Sequence, residues 1–526
     1  TGDDDDPGTL KTLSDLGFER PSDIARVIRT WHYGRYRATQ SKEARERLTE
    51  LTPELLRVFG ATKRADEALL RFDAFLSGLP AGIQLFSLIG NNPGLMSLMV
   101  TIMASAPRLA DIISRKPHVF DGMLDPGLMA ELPTRGYLAE RLENFLEGAR
   151  AYEEILDRLR IVALEQKFLI GVRLLTGSIS PDRAARSFSH LADLIIGAAL
   201  EAVREGMEEA HGRIPGGRVA VLGMGKLGSY ELTAGSDVDI ILLYDHDPGS
   251  DESDGPKPLD PVRYYTRMTQ RLVAALSAPT AEGILYEVDL RLRPSGNKGP
   301  VATSIRAFSK YQAEEAWTWE HMALTRARAV CGDMSLCSEA RALIDQVLAE
   351  PRDRSKLIAD LTEMRALIEQ EKPPRDIWDV KLIPGGLIDI EFIAQYLSLN
   401  ARAEGWLPAP EDDEAAGLLS GTDPDRISQP VDHNECTSTD ATLKALGPDT
   451  LGEETTESLR HALALWSGHA QIVRLCTEGE FAPKEAPAGL IDLVTRSGEA
   501  PNLASLETDF KATSKRIRSV FQKIMA

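Results

Sequence analysis

The sequence predicts an α+β fold, mostly helical, in which a small strand-rich core is flanked by helical bundles. Three observations predict it. Apolar residues recur at helical spacing from the start to about residue 211. Short, nearly continuous apolar runs then replace that period at 218–222, 237–244 and 284–292. Helical spacing returns from about Asp333 to the end. A length of 526 residues gives two to four domains at roughly 100–200 residues each. With 43% hydrophobic and 27% charged residues the composition is that of a globular chain and argues against wholesale disorder.

The helices come first. Ile24, Val27, Ile28 and Trp31 form one stripe, opened by Pro21-Ser22-Asp23. Thr52-Pro53-Glu54 repeats that start signal, a capping hydroxyl followed by proline in the first turn. Leu69, Phe72, Leu76 and Leu79 continue the pattern, and Pro80, Pro93, Pro107 and Pro117 divide further short helices. Residues 1–130 therefore read as a helical region whose apolar residues are core, with no catalytic spacing in it. Long helices are expected over 137–175 and from Ser180-Pro181-Asp182 to about His211. The three apolar runs follow, the second and third separated by an acidic loop (251–255) and a helix opened by Asp260-Pro261. Residues 405–450, rich in Pro, Gly and acid and including Glu411-Asp412-Asp413-Glu414, are too long for an ordinary connection and are expected to be a mobile insertion. The last helix carries Leu503, Leu506, Phe510, Ile517, Val520 and Ile524 on one face. These divisions give three regions: 1–130, 131–335 around the strands, and 336–526.

Charge and cysteine content exclude several function classes. Lys plus Arg is 60 against 80 Asp plus Glu, a formal charge of −20, which repels nucleic-acid backbones. No nucleic-acid partner is expected. Cys331, Cys337, Cys436 and Cys476 are too few and too scattered for a disulfide framework or a zinc knuckle, and read as reduced thiols. The most apolar stretch, 95–104, is half the ~20 residues of a membrane span, so no membrane role is expected. Thr1 in place of an initiator Met, followed by Asp3 to Asp6, suggests a chain cut from a longer, cytoplasmic protein.

The chemistry is concentrated in 223–244. Gly223-x-Gly225-x-x-Gly228 after a strand formally matches a dinucleotide fingerprint, but that fold needs a full helix before its next strand. Here the next strand begins at Asp237, after eight residues. A Walker A loop is excluded because Leu227 follows Lys226. Asp237 and Asp239 give a better account. Alternation along a strand sends both carboxylates the same way, about 6–7 Å apart at Cα, while Val238 and Ile240 to Leu243 anchor the strand. Two adjacent carboxylates repel, and without a cation one tends to keep its proton. Magnesium removes that cost and bridges to phosphates. Asp289 on the third run, followed by Arg291 and Arg293, completes a three-carboxylate site for two metal ions if that run pairs beside the second. The glycine turn at Gly223 and Gly225 lets backbone N–H groups approach phosphate, with Lys226 and Ser236 adding a charge and a hydroxyl. The bland alternatives are a solvent-facing strand edge for Asp237 and Asp239, an Arg salt bridge for Asp289, a solvated Lys226 and a turn-shaping Ser236.

These residues resemble the nucleotidyltransferase superfamily typified by DNA polymerase beta: a Gly-rich turn, then Ser236-Asp237-Val238-Asp239 on a strand and a distant third Asp. More closely, Gly-Met-Gly-Lys-Leu-Gly-x-x-Glu-Leu ending in that motif resembles the glutamine synthetase adenylyltransferase family. So do Val288-Asp-Leu-Arg-Leu-Arg-Pro-Ser-Gly296, Glu315-Ala-Trp-Thr-Trp-Glu-His321 with Arg326-Ala-Arg328, and Asp379-Val-Lys-Leu-Ile-Pro-Gly-Gly386 with Asp389-Ile-Glu-Phe392. The resemblance covers about 70–400 and, more loosely, the final helices. It implies a polymerase-beta-like core with a small mixed sheet at 131–335, a linker with a regulatory part at 1–130, and a helical bundle at 336–526. Family members carry two similar halves. This chain has one Ser-Asp-x-Asp core, and Trp317-Thr-Trp319-Glu320 resembles the adenylyl-transferring half.

The resemblance further implies transfer of AMP from ATP to a tyrosine of glutamine synthetase, with two Mg2+ ions held by Asp237, Asp239 and Asp289. Asp289 is also the candidate to accept the tyrosine proton, and glutamine and the PII signalling protein are the implied regulators. The alternatives are the adenylyl-removing, phosphorolytic half and a non-catalytic module binding PII or glutamine. Two further segments stay open. Glu320, Arg326 and Arg328 lie on an expected helix, where an arginine either contacts phosphates or the acceptor or forms a structural ion pair with Glu320. Lys381 and Asp389 around Gly385-Gly386 mark either a backbone approach to nucleotide or a loop-to-helix junction.

Overall fold

Proline and short capping side chains set most helix starts. Pro21 opens Pro21–His32, and Asn92 accepts from Leu95 N ahead of Pro93–Ser105. The computed structural model describes residues 6–120, 133–406, 437–477 and 479–526. The chain divides into two units: Thr1–Leu132 with Lys167–Ser180 and Gly468–Glu507, and Pro133–Gln166 with Pro181–Ser467 and Thr508–Ala526. The chain thus crosses between units, where the sequence was read in consecutive blocks.

The first unit is helical among its described residues, with a core built around Phe72, which meets Trp31 edge-on at 5.8 Å and Phe59 at 5.5 Å. Asp73 accepts from Trp31 Nε1 at 2.7 Å and from the Tyr36 hydroxyl at 3.0 Å, so the indole is buried without an orphan donor. The start signal at Thr52-Pro53 is overridden. Lys42–Gly60 runs through it as one helix, with Pro53 inside and the Thr52 hydroxyl donating back to Leu48 O. A proline removes a single ladder bond, and burial of Leu48, Leu55 and Phe59 on one face outweighs that loss.

The expected helix at 137–175 is two, Arg135–Leu146 in the second unit and Tyr152–Thr176, whose residues from Lys167 on belong to the first. The sheet has five strands: β1 (Arg218–Gly223), β2 (Val238–Asp245), β3 (Val288–Asp289), β4 (Ala302–Ser304) and β5 (Arg328–Gly332). β2 lies between β1, antiparallel to it, and the parallel pair β3 and β4, while β5 pairs antiparallel on the far side of β1. The third apolar run forms a strand only at Val288–Asp289. β4 and β5 were not anticipated, being three and five residues long. Val238 and Ile240 to Leu243 are buried as the apolar pattern requires. Residues 407–436, including the acidic Glu411 to Glu414 and Cys436, lie outside the described residues. The rest of the expected insertion is partly ordered, since Thr439–Leu451 is a helix. Cys331, Cys337 and Cys476 are buried free thiols. Among the described residues no single helix is long and apolar enough to cross a membrane; the most apolar pair, Ile83–Asn91 and Pro93–Ser105, bends by 111° between its members.

Candidate functional site

The site is built where β1 ends and β2 begins. β1 terminates at Gly223, a one-turn helix Gly225–Gly228 follows, and the chain returns through Thr233–Ser236 into β2. The three glycines have separate reasons. Gly225 has φ +54°, and a Cβ there would stand 2.7 Å from Asp239 Oδ2. At Gly228 a Cβ would overlap the Arg326 carbonyl, and at Gly223 it would press on Val330. The turn is thus packed against β5 on one side and against a carboxylate on the other.

Asp237 stands exposed just ahead of β2, and Asp239 is half-buried on it. The pairing of β3 with β2 is the condition for a third carboxylate. Val238 N donates to Glu287 O at 2.9 Å, and the parallel register sets Asp239 opposite Asp289. Burial pushes the Asp239 carboxyl up to about 6, with Asp237 and Asp289 adding to the rise, while Arg326 and Lys381 draw it down. Burial is the larger cause, and the like-charge repulsion expected of such a set adds to it. Asp289 goes the other way. The Arg291 guanidinium hydrogen-bonded to it holds its carboxyl below the usual range. Arg291 donates to Asp289 from its backbone N at 2.7 Å and from Nε at 2.7 Å, with Nη2 also engaged. The salt bridge weighed as the bland alternative for Asp289 is therefore present.

Magnesium suits this donor set in chemistry: Asp239 and Asp289 in register, Asp237 two residues before Asp239, and Asp239 destabilised by burial and by the other two acids. As the side chains stand, however, no three acidic, histidine or cysteine groups among the described residues converge closely enough to surround one ion.

Lys226 is half-buried rather than freely solvated. Burial lowers its pKa, with Glu391 opposing and Lys381 reinforcing the effect. Ser236 closes the turn: its Oγ accepts from Thr233 N at 3.0 Å and lies 2.8 Å from the Thr233 hydroxyl. Arg326 and Arg328 are not helical. The helix stops at Leu324, and Arg328 opens β5. Arg326 is buried, paired with Glu231 and, at 3.2 Å, with Glu391. Arg328 is buried against Asp193 at 2.7 Å and lies 3.9 Å over the Tyr230 ring. Both serve as structural ion pairs. Glu320 pairs with neither; it caps its own helix, accepting from Trp317 N and the Tyr311 hydroxyl, each at 2.9 Å. Gly385-Gly386 is a junction. A Cβ on Gly385 would strike the Ser514 carbonyl, and Asp389, fully buried, accepts from Gly385 N while pairing with Arg365 and Arg518.

Sequence reasoning missed two acids. Glu231 accepts from Ser229 Oγ at 2.9 Å and from Thr439 N at 2.8 Å, and Thr437 Oγ1 donates to Gly228 O at 2.8 Å. Glu231 and Glu391 hold Arg326, whose charge acts on Asp239. Both lie inside the motifs quoted above, which was the available signal. A cavity of about 230 Å3 opens at the other end of β1, lined by Arg204, Arg218, Tyr264 and Tyr265 among others. Its arginines are already paired, Arg204 with Glu201 and Glu208, Arg218 with Asp245 and Glu339, and it is not the candidate site.

A small mixed sheet with a glycine turn between β1 and β2, within a mostly helical chain, has the layout of a nucleotidyltransferase-like fold. Residues 96–342 match the family model of glutamate-ammonia ligase adenylyltransferase. Over all 526 residues the chain is 65% identical to the bifunctional glutamine synthetase adenylyltransferase/adenylyl-removing enzyme of Rhizobium meliloti (strain 1021). It is 64% identical over 525 residues to that of Agrobacterium fabrum, and 38% identical over 521 residues (99% of the chain) to that of Bradyrhizobium diazoefficiens. The chain thus carries a domain of this adenylyltransferase family at 96–342 and matches one half of these enzymes. It spans about half the length of these curated relatives, 51%, 51% and 50% respectively.

Proposed function

We propose that this chain transfers AMP from ATP to a tyrosine hydroxyl of glutamine synthetase, releasing pyrophosphate, and so lowers the activity of that enzyme in nitrogen regulation. The observation that carries this reading is the register of Asp239 opposite Asp289 beside the Gly225 turn, in a chain whose relatives are named for this reaction. Asp237, Asp239 and Asp289 are the residues that would hold two magnesium ions, which when bound supply neutralisation of the triphosphate and polarisation at the α-phosphorus. The chain's own contribution is largely positional, as phosphoryl-type transfer requires. Gly223 and Gly225 keep the turn free of side chains, so its backbone N–H groups can meet phosphate oxygens. Lys226, half-buried in the turn, adds a charge, and Ser236 orients the approach to β2. Asp289 is the group to take the tyrosine proton once its carboxylate is free of Arg291.

The assignment to the adenylyl-transferring half rests on Trp317-Thr-Trp319-Glu320. The same carboxylates would serve phosphorolytic removal of AMP, a second reading kept because the relatives' names carry both activities. Glutamine and the PII protein are proposed as regulators of the whole enzyme, in the cytoplasm. The test is to incubate the chain with unmodified glutamine synthetase, magnesium and α-phosphate-labelled ATP. Label on the synthetase that is lost with Asp239→Ala supports the proposal. Absence of label, with phosphate-dependent release of AMP from adenylylated synthetase, reverses the direction.

A further inference from the structure

We propose that Arg291 is a displaceable counter-ion that holds the third carboxylate, Asp289, out of the metal-binding arrangement and gives it up when cations and nucleotide arrive. The inference rests on the carboxylate site proposed above. The backbone already has the required register, with Asp239 opposite Asp289, yet the side chains do not converge on one point. Both oxygens of Asp289 are engaged by a single residue. Oδ1 takes the Arg291 backbone N–H at 2.7 Å, and Oδ2 takes Nε at 2.7 Å together with Nη2. A carboxylate used at both oxygens has little left for a cation.

The pair is asymmetric. The Arg291 side chain is 70% exposed and that of Asp289 only 12%. The guanidinium can therefore move into water while the acid stays in the site. An ion pair with so exposed a partner contributes little, whereas a divalent ion brings twice the charge to the same oxygens and prefers them. Arg293, two residues on, cannot play this part. It is buried, and its guanidinium donates to the carbonyls of Leu290, Gly299 and Pro300, which fixes the turn after β3. The released Arg291 fork, matched in shape to phosphate oxygens, then becomes a positioning group for the triphosphate. One side chain thus neutralises the acids in the absence of substrate and the phosphates in its presence.

Mn2+ binding without nucleotide, followed by the loss of the free-ion paramagnetic resonance signal, tests this on the full 526-residue chain. Wild type is compared with Asp239→Ala, Arg291→Gln, Arg291→Lys, Asp289→Asn and the Asp289→Asn/Arg291→Gln double variant. Arg291→Gln is expected to bind Mn2+ about two- to fivefold more tightly, the size of an exposed ion pair removed. Arg291→Lys keeps the charge but loses the fork, and is expected to tighten binding as well. In the Asp289→Asn background Arg291→Gln is expected to have no such effect, and in the otherwise wild-type chain it weakens MgATP binding. Unchanged Mn2+ affinity in Arg291→Gln overturns the proposal. So does equal tightening with Asp289→Asn present, which would be a general charge effect. If wild type and Asp239→Ala bind Mn2+ alike, the carboxylate site itself is wrong and the proposal falls with it.

Discussion

Removing the negative charge of Asp239 should make the metal-free protein more stable, and increasingly so as pH rises. Burial and the neighbouring Asp237 and Asp289 push this carboxyl from 3.8 to about 6. The unfolded chain ionises near 3.8, so between pH 3.8 and 6 the native state holds more protons than the unfolded state. Stability therefore falls with rising pH across that window and is flat above it. The shift of about two pH units corresponds to about 3 kcal/mol if fully expressed, and solvent screening of a half-buried group brings the expectation to about 1–3 kcal/mol. Asp239→Asn cannot ionise and escapes the penalty. Its advantage over wild type should be near zero at pH 3.8, grow through pH 5 and reach its full value by pH 7, while AMP transfer is lost. The assay is urea unfolding of both proteins in chelator at four pH values, followed by intrinsic fluorescence. An advantage independent of pH, or a less stable Asn variant at pH 7, would refute the account of Asp239 as a carboxylate raised by burial and by its acidic neighbours.

Three further outcomes follow from the geometry. Gly225→Ala forces a side chain into φ +54° and 2.7 Å from Asp239 Oδ2; a loss of about 1–2 kcal/mol in urea unfolding is expected from the backbone alone, with AMP transfer reduced further than stability explains. Asp389→Ala leaves Arg365, 1% exposed, and Arg518 sharing Glu369 and frees the Gly385 amide; since Glu369 retains part of the pairing, the loss is expected toward the lower end of the about 3–5 kcal/mol of a broken buried pair, readable as a lowered thermal midpoint. Trp317→Ala, at a position 71% exposed, should change stability by no more than about 0.5 kcal/mol, so a loss of label transfer to glutamine synthetase would then report on function rather than folding.

How much of this was legible in the sequence varies element by element. The continuous apolar runs of β1 and β2 bury their residues whatever surrounds them, and so announced themselves. β4 and β5, at three and five residues, carry too few positions for a period, and only pairing with β2 and β1 makes them strands. Arg326 and Arg328 looked helical because an Arg-x-Arg spacing has no preference of its own. Their partners Glu231, Glu391 and Asp193 are up to 135 residues away, a distance no local pattern records.

The amino-acid order by itself determined the helical character, the glycine turn and a strand that carries Asp239, with Asp237 one residue ahead of its start rather than on it, because these follow from local periodicity and from the conformations glycine alone tolerates. Asp289 could be proposed from it as a third acid. What only the tertiary structure decided is the state of that acid. Parallel pairing of two residues of β3 brings Asp289 opposite Asp239, and a local turn lets Arg291 bond to both of its oxygens. Electrostatic partners are chosen by distance in space, and the sequence lists neighbours only along the chain.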